Sequence, residues 1–253
     1  MLYKWIRIAV VFPLLMLLLC GCKTEMSEPL PASSEVTSDD IMLESQNSSL
    51  AFSGSEAGQL LADVYLQNKE NPAVVAYVNG EPIYQRDFLV AKKRAEISST
   101  NAMSQISAMD QSEEEKTRLR EQFAMPDDDS IVQDLIQGEV IRQEAERRHL
   151  TVSDEEACAY GENVYKQMQQ AAADDPQNQP DLDLINAYMS ALGLSPEEYF
   201  KTVAVEGYKS YLLKNKLYES VYAEFTEEQK SSENAYEDYI KTLVGQAEVT
   251  LEH

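Results

Sequence analysis

The hydrophobic pattern of the chain changes character several times along its length. Lys4 and Arg7 precede an apolar run from Ile8 to Leu19 that only Pro13 interrupts. That run falls short of the ~20 apolar residues of a spanning helix and has the flanks of a secretory leader, expected over residues 1–21. From 22 to 55 the pattern disappears into Ser, Glu and Pro. Such a stretch buries too little surface to offset chain entropy, so a disordered tether is expected. Leu60, Leu61, Val64 and Tyr65 then recur at helical spacing until Asn71-Pro72 breaks them, giving a short helix and linker over 56–72.

A different period opens at Val74. Two apolar stretches, Val74–Val78 and Glu81–Ile83, flank Asn79-Gly80, a pair suited to the positive φ angles of a tight hairpin turn. Pro82 cannot donate to a ladder, which puts its strand at a sheet edge. A helix follows from Gln85 with Phe88, Ala91 and Ala95 on one side, and frays at Ser98-Ser99-Thr100. Residues 98–127 carry no readable period. The spacing then predicts a helix from Asp129 to Arg148 with apolar residues on more than one face, hence packed on two sides. Ser153 with Glu156 forms a capping box that starts the next helix, which ends at Asp174-Asp175-Pro176. A short helix is expected from Asp181 to Leu192. Ser195-Pro196-Glu197-Glu198 opens a long helix whose stripe runs from Phe200 to Phe225. A last helix starts after Thr226, with Gly245 as its expected cap, and Ala247, Val249 and Leu251 alternate like a strand.

Composition narrows the function classes. The 253 residues include 44 Asp+Glu against 21 Lys+Arg, for a net charge of −23. Two of the basic residues lie in the leader, so the mature chain carries about −25. A nucleic acid would repel such a chain, so no nucleic-acid partner is expected. Cysteine is sparse. Cys20 falls in the leader and Cys158 has no partner for a disulfide, so it reads as a structural thiol. No Ser-His-Asp set, zinc spacing or Gly-rich phosphate loop is present, and neither an enzyme nor a cofactor is expected. Asp127-Asp128-Asp129 and Asp174-Asp175 lack the spacing of a calcium loop and read as solvated turns beside helix N-termini. The Asn47-Ser48-Ser49 sequon reads as accidental.

Two resemblances add to this. Leu19-Cys20-Gly21-Cys22 resembles the lipobox of bacterial lipoproteins, which implies lipidation of Cys22, a palmitate-type diacyl anchor and a place on the extracytoplasmic face of the cell membrane. Two acyl chains make such an anchor stable. Further on, Val75-Ala76-Tyr77-Val78-Asn79-Gly80 with Ile83 and Asp87-Phe88 resembles the opening of the SurA/PrsA family of extracytoplasmic folding factors. Leu135 to Ala145, and then Leu150-Thr151-Val152-Ser153-Asp154-Glu155-Glu156, resembles that family's second motif. Leu192-Gly193-Leu194-Ser195-Pro196-Glu197-Glu198-Tyr199 resembles its third. Two departures stand out. His149 replaces a Gly at a helix end, where His tolerates left-handed geometry better than most residues. The parvulin isomerase domain that many members insert is missing, and only His149 and His253 are available where a parvulin site uses paired histidines.

The resemblance implies a mainly α fold: a SurA-N-like helical domain over 73–225 with a short β-hairpin, closed by the helix and strand of 226–253. It implies a chaperone for unfolded or newly exported polypeptides without prolyl isomerase activity. A lipoprotein scaffold that reuses the fold is the alternative, and a true isomerase the remote third. Promiscuous binding suits Met and aromatic side chains. Met103, Met109 and Met125 in the unassigned region, and Tyr208, Tyr211, Tyr218 and Tyr222 on the long helix, are therefore candidate client contacts. For each tyrosine the competing reading is ordinary core packing.

Overall fold

The computed structural model describes residues 51–252. The leader, the Cys22 lipidation site, the Asn47 sequon and most of the tether lie outside the described residues.

The chain starts with α1 (Gly54–Asn68), capped by Ser53 and Glu56 in a full capping box. It starts two residues ahead of the short helix and linker read over 56–72, and it lies along the later helix α6 (Gln179–Leu192) rather than outside the lobe. The cause is small residues: a Cβ at Gly54 or Gly58 would run into the carbonyl oxygen of Pro180 or Leu184. Ala57, Leu61 and Ala62 are buried with Leu184, Ile185 and Tyr188 along this seam.

The hairpin forms as its turn residues require. β1 (Val74–Val78) and β2 (Glu81–Tyr84) pair antiparallel, and Asn79 (φ 52°) and Gly80 (φ 88°) take positive φ between them. β3 (Val249–Leu251) adds to the other side of β1, so the strand order is β2-β1-β3 and Pro82 sits on an edge. The C-terminal segment thus closes onto the first hairpin.

Helix α2 (Gln85–Ala108) runs a full two turns beyond the fraying expected at Ser98-Ser99-Thr100. Its buried stripe of Ile97, Ala102 and Ile106 continues through the serines. Tertiary packing on α1 outweighs the weak propensity of that segment. α3 (Glu113–Gln122) was not foreseen; Ser112 caps it by accepting from the Glu115 amide. α4 (Asp128–Arg147) is central. Ile136 and Val140 face the sheet, while Ile141 and Ala145 face Leu217, Val221 and Ile240. It ends in a left-handed His149 (φ 58°), with Leu150 donating back to the Ala145 carbonyl at 2.9 Å.

α5 (Asp154–Asp174) begins at Ser153, which accepts from the Glu156 amide; the Glu156 carboxylate turns instead to Lys216 at 2.9 Å. A 3-10 turn (Pro176–Asn178) leads into α6, two residues ahead of the expected start. The single long helix expected from Ser195 to Phe225 is two: α7 (Pro196–Thr202) and α8 (Val205–Glu224), bent at Val203-Ala204. The bend buries Tyr199 and Phe200 on α5, and no Gly or Pro marks it. The last expected helix is likewise split into α9 (Glu227–Lys230) and α10 (Ala235–Gln246). Gly245 lies inside α10 without positive φ, so it is not the cap expected of it; Ala247 is.

Three apolar clusters hold the lobe. The largest joins α1, α2, α5, α6, α7 and α8; a second lies between the sheet and α4; a third joins α4, α8 and α10. Among the described residues no helix is long and apolar enough to cross a membrane.

Candidate functional site

Two surfaces, on different elements, carry five of the residues singled out in the sequence: Met103, Met109 and Met125 on one, Tyr218 and Tyr222 on the other. The first is the hairpin of α2 and α3. The C-terminal half of α2 buries Ile97, Ala102 and Ile106, whereas α3 buries no residue and leans on α2. The Ser99 hydroxyl ties α2 to the end of α3 by donating to the Phe123 carbonyl at 2.9 Å, and the Phe52 amide, ahead of α1, donates to Asn101 Oδ1 of α2 at 2.9 Å. Met103 and Met109 are half-buried here, and Met125, just past α3, is exposed. At about 100° per residue, positions 103 and 109 are a third of a turn apart, so the methionines do not share one stripe. They are spread along a hairpin whose second helix buries no residue, where an unbranched thioether adapts to varied shapes.

The second surface is aromatic. Tyr218 and Tyr222 stack at 5.6 Å on α8. Tyr236 of α10 meets Tyr218 edge-on at 5.0 Å and stacks with Tyr239 at 6.3 Å, and Phe225 continues the row from Tyr222 at 6.1 Å. Tyr222 is exposed, with the Lys230 ammonium 5.8 Å from its ring centroid. The sequence reading put Phe225 on the stripe of the long helix but marked neither it nor Tyr236 and Tyr239 as contacts. Tyr236 and Tyr239 both lie in α10, after a break, and no period links them to α8.

The other two tyrosines lie elsewhere. Tyr208 is buried, 5.7 Å from Tyr160 and 6.0 Å from Phe200, and faces Gly161, where a Cβ would press into its ring. Burial pushes its hydroxyl above the ordinary tyrosine range. Tyr208 therefore serves the core, the competing reading of the sequence, and is withdrawn from the contact surface. Tyr211 is half-buried and stacks on Tyr160 at 5.4 Å.

The aromatic row is fixed in place by a charged clasp that the sequence did not reveal. Arg148, at the end of α4, contacts Glu144 (2.7 Å), Glu224 (2.7 Å), the Ser220 hydroxyl (3.1 Å) and the Tyr239 hydroxyl (3.1 Å). Tyr239 in turn donates to Glu144 at 2.6 Å. Glu144 is only 5% exposed. Its hydrogen bonds from Arg147, then Tyr239 and Arg148, overcome burial and hold its carboxyl down at about 2. The clasp ties α4, α8 and α10 together beneath the tyrosines. The Tyr236 hydroxyl is buried without a hydrogen-bond partner among the described residues.

Members of the acidic clusters cap helices or pair with nearby side chains. Asp127 accepts from the Ser130 amide at 2.8 Å, Asp128 pairs with Lys92 at 2.7 Å, and Asp175 accepts from the Gln177 amide at 2.9 Å. Among the described residues no group of acidic, His or Cys side chains is arranged to hold a metal. The half-buried Cys158 thiol donates to the Phe200 carbonyl at 3.2 Å, and burial raises it above the ordinary thiol range, so its reactive thiolate is disfavoured.

Comparison with known proteins gives one finding. The family model described as the SurA-like N-terminal domain matches residues 49–179, from the approach to α1 into the first residue of α6. The first two sequence motifs fall inside this match and the third lies beyond it. No curated protein and no solved structure matches the chain.

Proposed function

The chain belongs to the SurA-like N-terminal domain family, a chaperone-type domain, and from that premise we propose that it is a membrane-anchored extracytoplasmic chaperone that binds unfolded or newly exported polypeptides. In this reading residues 1–21 direct export, a lipid on Cys22 holds the chain at the outer face of the cell membrane, and the tether sets the lobe away from the bilayer. Binding is promiscuous and needs no prolyl isomerase chemistry. The α2–α3 hairpin with Met103, Met109 and Met125, and the row of Tyr218, Tyr222 and Phe225, offer adaptable apolar contacts to a client.

Family membership carries the reading, and the two adaptable surfaces support it. A weak holder requires apolar surface that is ordered before the client arrives, because ordering it afterwards would cost affinity. The aromatic row meets this condition through its clasp. The test uses the full-length protein. Light scattering of a refolding client should fall in its presence, for several unrelated clients. A proline-limited refolding step, of about 10–100 s uncatalysed, should keep its rate. Acceleration of that step would overturn the isomerase-free reading. Unchanged scattering at stoichiometric excess would favour a scaffold over a chaperone.

A further inference from the structure

The register of β3 determines which of its backbone groups are free. The Asn79 amide donates to the Glu248 carbonyl at 2.8 Å, and the Glu252 amide donates to the Val75 carbonyl at 3.0 Å. Tyr77 faces Thr250 between them. Positions 248, 250 and 252 thus turn their amides and carbonyls toward β1, by the alternation of an antiparallel ladder. Val249 and Leu251 turn theirs outward, where no strand pairs with them among the described residues.

Their side chains point elsewhere. Val249 pairs with Val78 and Leu251 with Ala76, both fully buried, so all four lie on the core-facing side of the sheet. Yet Val249 is 38% exposed and Leu251 47%. The sheet's apolar face therefore runs past its packed core and ends as an open ledge. Glu248 and Glu252, both exposed, flank it and point to the other face. A second copy of this chain is a poor occupant. Antiparallel pairing of two β3 strands about Thr250 would set Glu248 opposite Glu252 twice, between partners that are each strongly acidic. Like charges directly opposite destabilise a pair.

We infer that the outer edge of β3 is a strand-addition site for an extended client segment with a basic–apolar–polar–apolar–basic pattern. This rests on the chaperone reading above. Its two apolar residues lie opposite Val249 and Leu251 and exchange backbone hydrogen bonds with them, while its basic residues meet Glu248 and Glu252. Main-chain bonds supply the attraction and the side-chain alternation the selectivity.

The experiment uses the full-length chain and a labelled peptide whose core is Lys-Val-Thr-Val-Lys, with binding read by fluorescence anisotropy. Two control peptides change one feature each: methylation of both valine amides, or glutamate for both lysines. Each control should bind at least tenfold more weakly. Leu251→Pro removes an outward amide but none that donates to β1, so it should weaken peptide binding at least tenfold and leave melting unchanged. If that variant melts early, the methylated peptide decides the matter without altering the protein. Equal binding by the methylated peptide, no binding by any peptide, or a dimer that Leu251→Pro dissolves would overturn the assignment. Light scattering with a general client separates the two levels. A chain that suppresses aggregation but ignores these peptide differences loses only the edge site. A chain that does neither loses the chaperone reading as well.

Discussion

Glu144 shows how one side chain can organise a region. It is nearly sealed from water, and its carboxylate stays charged because two arginines and a tyrosine hydroxyl serve it. Arg148 → Ala would leave Glu144 with Arg147 and free Glu224, and should cost roughly 2 kcal/mol or more, measured by urea denaturation. Acid should act on the same clasp. The folded carboxyl sits at about 2, below its ordinary 4.5, so its contribution is complete above about pH 5 and lost as pH falls toward 2. Glu144→Gln should therefore be less stable than the native chain at pH 7, and the gap should narrow steadily on acidification. A gap that stays constant from pH 7 to 2 would mean that Glu144 is not held by charge. Tyr236 has the opposite character. Its buried hydroxyl lacks a partner among the described residues, so Tyr236→Phe should match or exceed the native melting temperature.

At the scale of elements, the sequence showed clearly whatever has local chemistry. Asn79-Gly80 specified the hairpin, His149 the left-handed end of α4, and Ser195-Pro196-Glu197-Glu198 the start of α7. What stayed hidden depends on distant partners. The bend at Val203-Ala204 follows from burying Tyr199 and Phe200 on α5, and neither residue there is a helix breaker. The persistence of α2 through Ser98-Ser99-Thr100 comes from its packing on α1. The seam of α1 on α6 had a faint signal in Gly54 and Gly58, four residues apart, whose meaning needs the partner helix. Gly58→Val should push the α1 backbone off Leu184 and cost about 1–3 kcal/mol, as overpacking does. Unchanged stability would show that α1 can slide without loss. The clasp was illegible for a similar reason: Glu144, Arg148, Glu224 and Tyr239 span 96 residues of sequence, and only the assembled helices bring them together.

At the scale of the molecule, the proposed function sets a helical lobe with two adaptable surfaces on an exported, lipid-held chain. The anchor can be tested apart from the lobe: Cys22→Ser should abolish incorporation of labelled fatty acid, and continued labelling would refute the lipidation proposal. The surroundings of the candidate contacts were only partly readable in the sequence. The helical stripe sets Tyr218 and Tyr222 one turn apart, and they stack in the structure, but it could not tell that Tyr208, on the same helix, turns into the core. The central claim is that unfolded chains are held on the α2–α3 hairpin and on the aromatic row. The most direct measurement places a photoreactive phenylalanine analogue at Met125, at Tyr222 or, as a control, at exposed Gln170 of α5, and illuminates the full-length protein with an unfolded client. The account predicts client adducts from positions 125 and 222 and few from 170. Equal capture at all three positions, or capture at 170 only, would contradict it.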